Sequence, residues 1–525
     1  MSRARPALPF LSSAQIAFCV ALASLGACQG DEPTYAIQII GPPDAFVGAT
    51  TVGLYANDVQ ISSSSVAGMG NFNLEVTGID PGNYATGVIF KVLAQNDAKQ
   101  LVAFGQSPLL EVRPTETALK IYVQKPGSIA HTIDLPVALH NPAVLAAEVP
   151  ALATDAILTM TAPVFGLGRD ANNLPSSALY LFNPLLYTTT TLPPARMPRA
   201  DGLAFSRDDS GELFFFGGVE LSAANPAGTI TDSIEVLTVG RQNFSQFTTP
   251  AEADQLFPAV GAAARTGGAA IFTAGHYLVF GGADAAGAAL NSVAVIDQSP
   301  DHSTTAVTTK HPAMAAARVG HTANLDLTTA NRGLGEIAGR VLIYGGAGPN
   351  DPVAELLAEV NTDIPVLPKW LPISVPVGLP ATDPLSARSH HQAVGVRSPE
   401  MVGEVLIIGG VDSGGNPRAD SAVCVPSEAR CVGGPITLKT ARTDFTAFVI
   451  KDDLVIAGGL GPDHQPLATA EIYNVKTYAY VTTIPCVPRA RASSVPLVSS
   501  VFILGGEGPG GVPSAALETY QATSP

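Results

Sequence analysis

The chain has 525 residues, of which 46% are hydrophobic and only 14% charged, so it is long enough for two or more domains with substantial cores. Its 51 glycines and 43 prolines indicate many short strands joined by turns. The 44 acidic and 28 basic side chains give a formal charge of −16, and a field of that sign repels phosphate backbones, which argues against nucleic acid as a partner.

The first segment is typical of an export signal. Two arginines precede an apolar stretch, residues 16–27, that is too short to span a bilayer as a helix. The stretch ends in Leu-Gly-Ala-Cys at Cys28, which resembles a bacterial lipoprotein signal. That resemblance implies removal of residues 1–27 and acylation of Cys28. The alternative is an ordinary secretory peptide. We expect a lipid-anchored envelope protein, and Gln29 favours the outer membrane.

Residues 28–33 form a tether, and residues 34–126 alternate strand-like runs with turns. Six or seven short strands in this length predict a small β-sandwich. The run GIDPGNYATGVIF resembles a corner of immunoglobulin-like and transthyretin-like modules, which implies a packing role for Tyr84. The run QKPGS, residues 124–128, is typical of a linker.

A repeat dominates residues 127–525. Six apolar runs end in Gly-Gly, and successive pairs are 64, 64, 64, 49 and 47 residues apart, at Gly217, Gly281, Gly345, Gly409, Gly458 and Gly505. A self-similar unit of this length, built from strand-like runs, is the signature of a radially repeated all-β fold. Each unit continues into a further strand such as DSIEVL or AEIYN, and a fourth strand is weaker, with KWLPI around Trp370 the best example.

The order of arginine, apolar run with Gly-Gly, polar loop and apolar strand resembles the kelch repeat family, which implies a β-propeller with four strands per blade. Departures from the family pattern are that only Trp370 keeps the outer-strand tryptophan and that the third-strand tyrosine survives only in places, such as Tyr473. Gly166 and Gly168 mark a degenerate seventh unit before the six.

The last unit lacks residues for its outer strand after residue 521. We expect residues 128–135 to supply that strand by pairing with residues 515–521, because a closed ring hides the edges of its first and last blades. The sequence therefore predicts an all-β chain, with a seven-bladed kelch-like β-propeller preceded by a small β-sandwich.

Three cysteines remain after the signal and Cys28. Cys424 and Cys431 flank a turn and are predicted to form a disulfide in an oxidising envelope, which leaves Cys486 as a single thiol. These spacings offer too few ligands for a metal, so we expect neither a metal nor a cofactor.

The glycine pairs are predicted to be structural, since glycine accepts positive φ and lets a neighbouring backbone approach. Six arginines begin the innermost strands: Arg199, Arg265, Arg318, Arg388, Arg442 and Arg491. Antiparallel pairing brings each one near the loop after its own Gly-Gly. Those loops carry the acids Glu220, Asp284, Asp412, Asp463 and Glu507. The arginines either tie these loops together through carbonyls and carboxylates, or form a ring of guanidinium groups at the channel mouth that binds an anionic or polar ligand.

Two histidines, His321 and His391, each follow an arginine by three residues, which matches the kelch pattern, and His390 adds a third imidazole. A metal site is one interpretation. Because no acid or cysteine cluster accompanies them, we expect hydrogen-bonded residues at the channel mouth instead.

Neither a nucleophile elbow nor a paired-carboxylate motif occurs, so we expect no catalytic residues. The kelch resemblance implies a binding or scaffolding protein that uses its loop-rich face to bind an envelope or extracellular protein or a glycan, with contact to the membrane only through the lipid anchor. The same resemblance implies two enzyme alternatives. One is a sialate-mutarotase-like sugar enzyme, to be sought at Arg318, His321, Arg388 and His391. The other is a galactose-oxidase-like copper enzyme, which needs two histidines, two tyrosines and a thioether-linked cysteine.

Overall fold

A computed structural model shows an all-β chain. The structure describes residues 34–65, 72–77, 87–110, 116–150, 159–207, 212–222, 225–238, 254–257, 264–273, 276–298, 305–308, 311–326, 340–348, 350–358, 369–371, 373, 375–398, 401–497 and 500–525. The predicted export signal, Cys28 and Tyr84 lie outside these residues. The chain divides into two compact units, the first ending at Pro126 and including Pro184–Leu186, the second formed by Gly127–Asn183 and Tyr187–Pro525.

The first unit contains two antiparallel or mixed sheets. Its strands are β1 (Thr34–Ile40), β2 (Thr51–Ala56), β3 (Val59–Ser65), β4 (Phe72–Thr77), β5 (Phe90–Gln95), β6 (Leu101–Gln106) and β7 (Glu116–Tyr122). The strand orders are β4-β1-β7 and β3-β2-β5-β6. The rings of Tyr35 on β1 and Phe90 on β5 are 4.8 Å apart, so the two sheets pack against each other through buried aromatic residues.

The second unit begins with strands β8 (Ser128–Asp134), β9 (Ala143–Pro150), β10 (Thr159–Gly166), β11 (Leu179–Asn183), β12 (Thr188–Thr191), β13 (Arg199–Ala200), β14 (Leu203–Arg207), β15 (Glu212–Phe216), β16 (Val219–Ser222), β17 (Asn225–Ile230), β18 (Ile234–Thr238), β19 (Asp254–Phe257), β20 (Ala269–Thr273), β21 (His276–Phe280), β22 (Val293–Gln298) and β23 (Thr305–Thr308).

It continues with β24 (Thr322–Asp326), β25 (Arg340–Tyr344), β26 (Ala354–Ala358), β27 (Lys369–Leu371), β28 (Gln392–Ser398), β29 (Met401–Ile408), β30 (Asp420–Val425), β31 (Arg430–Thr437), β32 (Thr446–Ile450), β33 (Asp453–Ala457), β34 (Thr469–Asn474), β35 (Tyr480–Pro485), β36 (Ser493–Leu497), β37 (Ser500–Leu504), β38 (Glu507–Gly508), β39 (Val512–Pro513) and β40 (Ala516–Gln521). Two short 3-10 turns occupy Pro426–Glu428 and Pro509–Gly511.

Seven antiparallel four-stranded sheets repeat along the second unit, and we number these repeat sheets in chain order. They are β9-β10-β11-β12, β14-β15-β18-β19, β20-β21-β22-β23, β24-β25-β26-β27, β28-β29-β30-β31, β32-β33-β34-β35 and β36-β37-β40-β8. From the second sheet onward, the second strand carries the apolar run before Gly-Gly. Two small additional sheets are formed by the loops that follow the first and last Gly-Gly pairs, β13-β16-β17 and the hairpin β38-β39.

The predicted pairing of residues 128–135 with residues 515–521 is confirmed. Strand β8 pairs antiparallel with β40, from Ala516 opposite Asp134 to Gln521 opposite Ser128. The backbone N–H of Leu135 extends the ladder by donating to the carbonyl of Ala515 at 2.7 Å. A segment from the start of the second unit thus provides the outer strand of its last sheet.

The core of the second unit lies between the faces of successive repeat sheets. Buried Leu406 on the fifth sheet packs with Leu454 on the sixth, and Val455 on the sixth packs with Ile503 on the seventh. Phe502 on the seventh sheet lies 4.9 Å, ring to ring, from Phe182 on the first. First strands of neighbouring sheets are also in contact, including β36 with β9. From the second sheet to the seventh, and from the seventh to the first, the apolar runs of neighbouring sheets therefore form shared cores.

Cys424 and Cys431 form a disulfide across β30 and β31, as the sequence predicts, and Cys486 is a free thiol. Within the described residues, no helix is long and apolar enough to cross a membrane.

Candidate functional site

The glycine pairs join neighbouring repeat sheets through their backbone. Both glycines of each pair have positive φ, for example +65° at Gly217 and +87° at Gly218. In the first five pairs the N–H of the second glycine donates to the carbonyl of the arginine of the next sheet, as between Gly218 and Arg265 at 2.7 Å. A Cβ at the first glycine would meet that same carbonyl. The pairs are therefore structural, because this close approach leaves no room for a side chain.

The arginine side chains complete the same connection. Their Nη1 groups donate to the carbonyl of the first glycine of their own sheet, at 3.0 Å from Arg265 to Gly281 and 2.9 Å from Arg442 to Gly458. Each arginine thus bonds to its own sheet through its guanidinium, and those of the third to seventh sheets also bond to the preceding sheet through their carbonyls. We call the residues in this role the clamp arginines: Arg199, Arg265, Arg318, Arg388, Arg442 and Arg489.

The sixth of these differs from the sequence prediction, which placed Arg491 in this role. In the structure Arg489 donates to the carbonyls of Gly505 at 3.1 Å and Ala516 at 2.7 Å, while the side chain of Arg491 is 46% exposed. The spacing could have revealed the difference, since Arg489 precedes Gly505 by 16 residues, as Arg442 precedes Gly458.

The acidic partners also differ from those expected. Of the five loop acids predicted to meet these arginines, only Glu220 pairs with a clamp arginine, which is Arg199. Asp284, Asp412 and Asp463 instead accept backbone N–H groups of their own loops, as Asp412 does from Gly414 at 2.8 Å. The acids that sequence reasoning missed lie near the start of the third strand, namely Glu355, Asp420, Glu471 and Glu518.

Burial decides what the clamp arginines can do. All six are at most 2% exposed. Burial lowers the pKa of the Arg265 guanidinium to about 10, although Asp232 opposes the shift. Since these donors are committed to the fold, the structure favours the first of the two interpretations, in which the arginines tie strands and loops together.

His321 and His391 are buried as well, with 7% and 3% of each residue exposed. A Cβ on Gly281 would lie 2.8 Å from Cε1 of His321, and one on Gly409 would lie 2.8 Å from Cε1 of Phe445, which occupies the equivalent place. Burial lowers the pKa of His321 to about 4, and Arg318 adds to the shift. The imidazoles therefore fill space beneath the glycine pairs, as Phe445 does. In the described part of the chain, no group of three or more His, Cys, Asp or Glu is placed to hold a metal ion.

The residue two positions after each clamp arginine, together with its counterpart in the first sheet, has positive φ between 45° and 67°. We call these the linking residues: Asn141, Asp201, Gly267, Gly320, His390, Asp444 and Arg491. Hydrogen bonds connect neighbours, from the N–H of His390 to the carbonyl of Gly320 at 2.9 Å and from that of Arg491 to Asp444 at 2.6 Å. They are therefore held in fixed order at one end of successive sheets.

Charged side chains are concentrated on part of this series. Nδ1 of His390 lies 3.1 Å from a carboxylate oxygen of Asp444, and Nη1 of Arg491 lies 3.0 Å from one of Glu507. Glu507 in turn lies 3.9 Å from Nδ1 of His140. The third and fourth repeat sheets, which precede the sheet of His390, carry glycines at the linking positions, Gly267 and Gly320.

A small cleft lies beside another linking residue. It has a volume of about 150 Å³ and is lined by residues that include Asn141, Gly168, Arg199 and Asp201. Asp201 is held there by Nε of Arg169 at 2.9 Å. Ligand pockets usually measure roughly 300–1,000 Å³, so this cleft has room for a few water molecules rather than a substrate.

No family model matches this chain, and no curated protein matches it significantly. The kelch resemblance therefore rests on the repeat spacing and on the residues of the units.

Proposed function

We propose that this chain is a lipid-anchored cell-envelope protein that binds a protein or glycan through the loop-rich face of a seven-bladed kelch-like β-propeller carried on a β-sandwich. The pairing of β8 with β40 and the contact of β36 with β9 support a closed ring. So do the five bonds from glycine N–H groups to arginine carbonyls, since they give each of the third to sixth sheets a neighbour on both sides.

The observation that carries the binding role is the contrast between the clamp arginines and the linking residues. Seven of the eight arginines and histidines expected to contact ligand are buried in the framework, whereas the eighth, Arg491, is 46% exposed. Arg491 and His390 are linking residues, on short connections held by backbone hydrogen bonds, and their side chains are presented. Polar side chains on a rigid scaffold are typical of recognition surfaces.

Affinity capture tests this role. The mature chain, immobilised through an added C-terminal tag, is incubated with solubilised envelope proteins and with a glycan panel. We expect retention of one partner that is lost when the linking residues His390, Asp444 and Arg491 are changed together to alanine. Retention that is equal for this variant and the unchanged chain would contradict binding through this face.

The anchor is tested separately with Cys28→Ser in a Gram-negative host. We expect the unchanged chain to fractionate with the outer membrane and the variant to be released by osmotic shock, because loss of the thiol removes the acylation site. Identical fractionation of the two would leave an ordinary secretory signal as the correct interpretation.

A further inference from the structure

We propose that His390 and Arg491, held by Asp444, form a site for the carboxylate group of a small ligand. The inference rests on the proposed binding role of this face and names the chemistry that the face recognises.

The three residues are preorganised by their backbone. They are linking residues of the fifth, sixth and seventh sheets, with φ of 53°, 52° and 56°. The N–H of Asp444 donates to the carbonyl of His390 at 3.3 Å, and that of Arg491 donates to Asp444 at 2.6 Å. A ligand binding here would therefore meet side chains that project from a backbone already held in place, which lowers the entropy cost of binding.

Exposure within the group is unequal. The side chain of Asp444 is 14% exposed, whereas those of His390 and Arg491 are 49% and 46% exposed. Asp444 contacts both cations from below, at 3.1 Å to Nδ1 of His390 and 3.8 Å to Nε of Arg491. The carboxylate of Asp444 is thus withdrawn, while the imidazole and the guanidinium face solvent beside the partly exposed carboxylate of Glu507.

Each exposed cation keeps a donor for a ligand. Among the described residues, Nε2 of His390 and Nη2 of Arg491 have no hydrogen-bonding partner, since Asp444 takes Nδ1 and Glu507 takes Nη1. The imidazole of His390 lies over Gly320, which has no side chain to cover it. Nε of Arg491 faces Asp444 at 3.8 Å and Nη1 donates to Glu507, so a ligand carboxylate would accept a charge-assisted hydrogen bond from Nη2.

The charge of the site depends on pH. The hydrogen bond to Asp444 raises the pKa of His390, while partial burial and the nearby charge of Arg491 oppose the shift. The carboxylates of Asp444 and Glu507 offset the charges of Arg491 and protonated His390, so the site is least negative below that raised pKa. Carboxylate binding is therefore expected to be strongest in mildly acidic solution and to weaken as the pH rises through the pKa of His390.

Histidine NMR on the full chain in detergent tests the proposal, because the chain has only nine histidines and His390→Gln identifies the signal. Sodium glucuronate and sodium acetate are titrated at pH 6, with glucose as the neutral analogue and chloride at matched ionic strength. We expect a saturable shift of the His390 signal with both carboxylates and none with glucose or chloride.

Arg491→Gln should weaken glucuronate binding about tenfold, because it removes one charge-assisted hydrogen bond. The matched control is Arg430→Gln, since Arg430 is equally exposed and paired with Glu428. A response to glucuronate but not acetate would overturn a site for the carboxylate group alone, because the sugar ring would then be required. No saturable shift with either carboxylate, or an unchanged affinity in Arg491→Gln, would overturn it as well. If Arg491→Gln still captures the partner but its affinity for carboxylates is unchanged, the proposed binding role stands and the proposed carboxylate site is wrong.

Discussion

The sixth and third repeat sheets solve the same packing problem with different chemistry. In the sixth, Arg442 donates to Gly458 and also to Glu471 at 2.6 Å, and Glu471 accepts the N–H groups of Lys439 and Thr440. In the third, Arg265 donates to Gly281 at 3.0 Å and to the hydroxyl of Ser292 at 3.0 Å, and the position equivalent to Glu471 is Ala294.

The comparison shows which part of the connection the fold requires. The bond from arginine to the glycine carbonyl is present in both sheets, whereas the buried glutamate on the third strand is present in the sixth and replaced by Ala294 in the third. The glycine bond therefore does not depend on a glutamate at that position. The added carboxylate of Glu471 connects the arginine to the loop before it. Once the arginine is removed, this carboxylate is a buried charge without its partner and destabilises the fold.

The largest expected effect is that of Arg442→Met. It leaves Glu471, which is 1% exposed, as an uncompensated buried carboxylate, so we expect a loss of about 3–5 kcal/mol in the free energy of unfolding. Urea unfolding followed by circular dichroism measures it. Exposed Arg430→Met is the control and should cost less than about 0.5 kcal/mol. Equal losses for both variants would show that the clamp contributes nothing.

Arg265→Met should cost less, about 2–3 kcal/mol, because it leaves the carbonyls of Gly281 and Ser292 without this donor, while the position of Glu471 is the buried Ala294 in this sheet. The same urea titration compares it with Arg442→Met. If the two variants lose equal stability, the carboxylate is not the source of the difference between the sheets.

A glycine change tests the backbone side of the connection, which both sheets share. Gly281→Ala should cost about 2 kcal/mol, since its φ is +52° and its Cβ would lie 2.7 Å from the carbonyl of Arg318. Gly287 has φ of +75° and open space around it, so Gly287→Ala isolates the conformational part, about 1 kcal/mol. A larger loss at Gly287 than at Gly281, measured by thermal unfolding, would refute the steric argument.

The smallest expected effect is a change in how the free energy of unfolding depends on pH. The folded-state pKa of His321 is about 4, below its ordinary 6.5, so the unfolded chain takes up this proton first as the pH falls. The contribution of neutral His321 to the free energy of unfolding is present above about pH 6.5 and is lost as the pH falls from 6.5 to 4. We expect His321→Phe, which introduces the residue found at the equivalent position, Phe445, to keep stability at pH 7.5 and to flatten its decline over that interval. A decline as steep as that of the unchanged chain, with His131→Phe as the exposed control, would exclude this role.

Much of the framework was predictable because it depends on local pattern. The apolar runs, the Gly-Gly pairs and the alternation of strands and turns are short-range features, and they predicted strands such as β27 around Trp370. The pairing of residues 128–135 with residues 515–521 was also predictable, since a repeat that lacks a strand at one end needs one from elsewhere.

The partners of the charged residues were harder to predict. Two arginines, Arg489 and Arg491, stand near the start of the same strand, and only their different burial separates a clamp from a surface residue. Likewise, the acids that meet the clamps are up to 37 residues away along the chain, as Glu355 is from Arg318. Spacing to the glycine pair would have identified Arg489, but no local pattern marks Glu355.

The sequence by itself determined that this protein is an all-β chain of repeated sheets, because apolar periodicity and obligatory glycines act within a few residues. Only the tertiary structure decided which ionisable groups are buried in the framework and which are presented. Burial and ion pairing depend on neighbours from other sheets, and these are brought together only when the sheets pack. The Gly-Gly pairs and their arginines therefore define the scaffold, and the exposed residues two positions further along define the surface to be tested for binding.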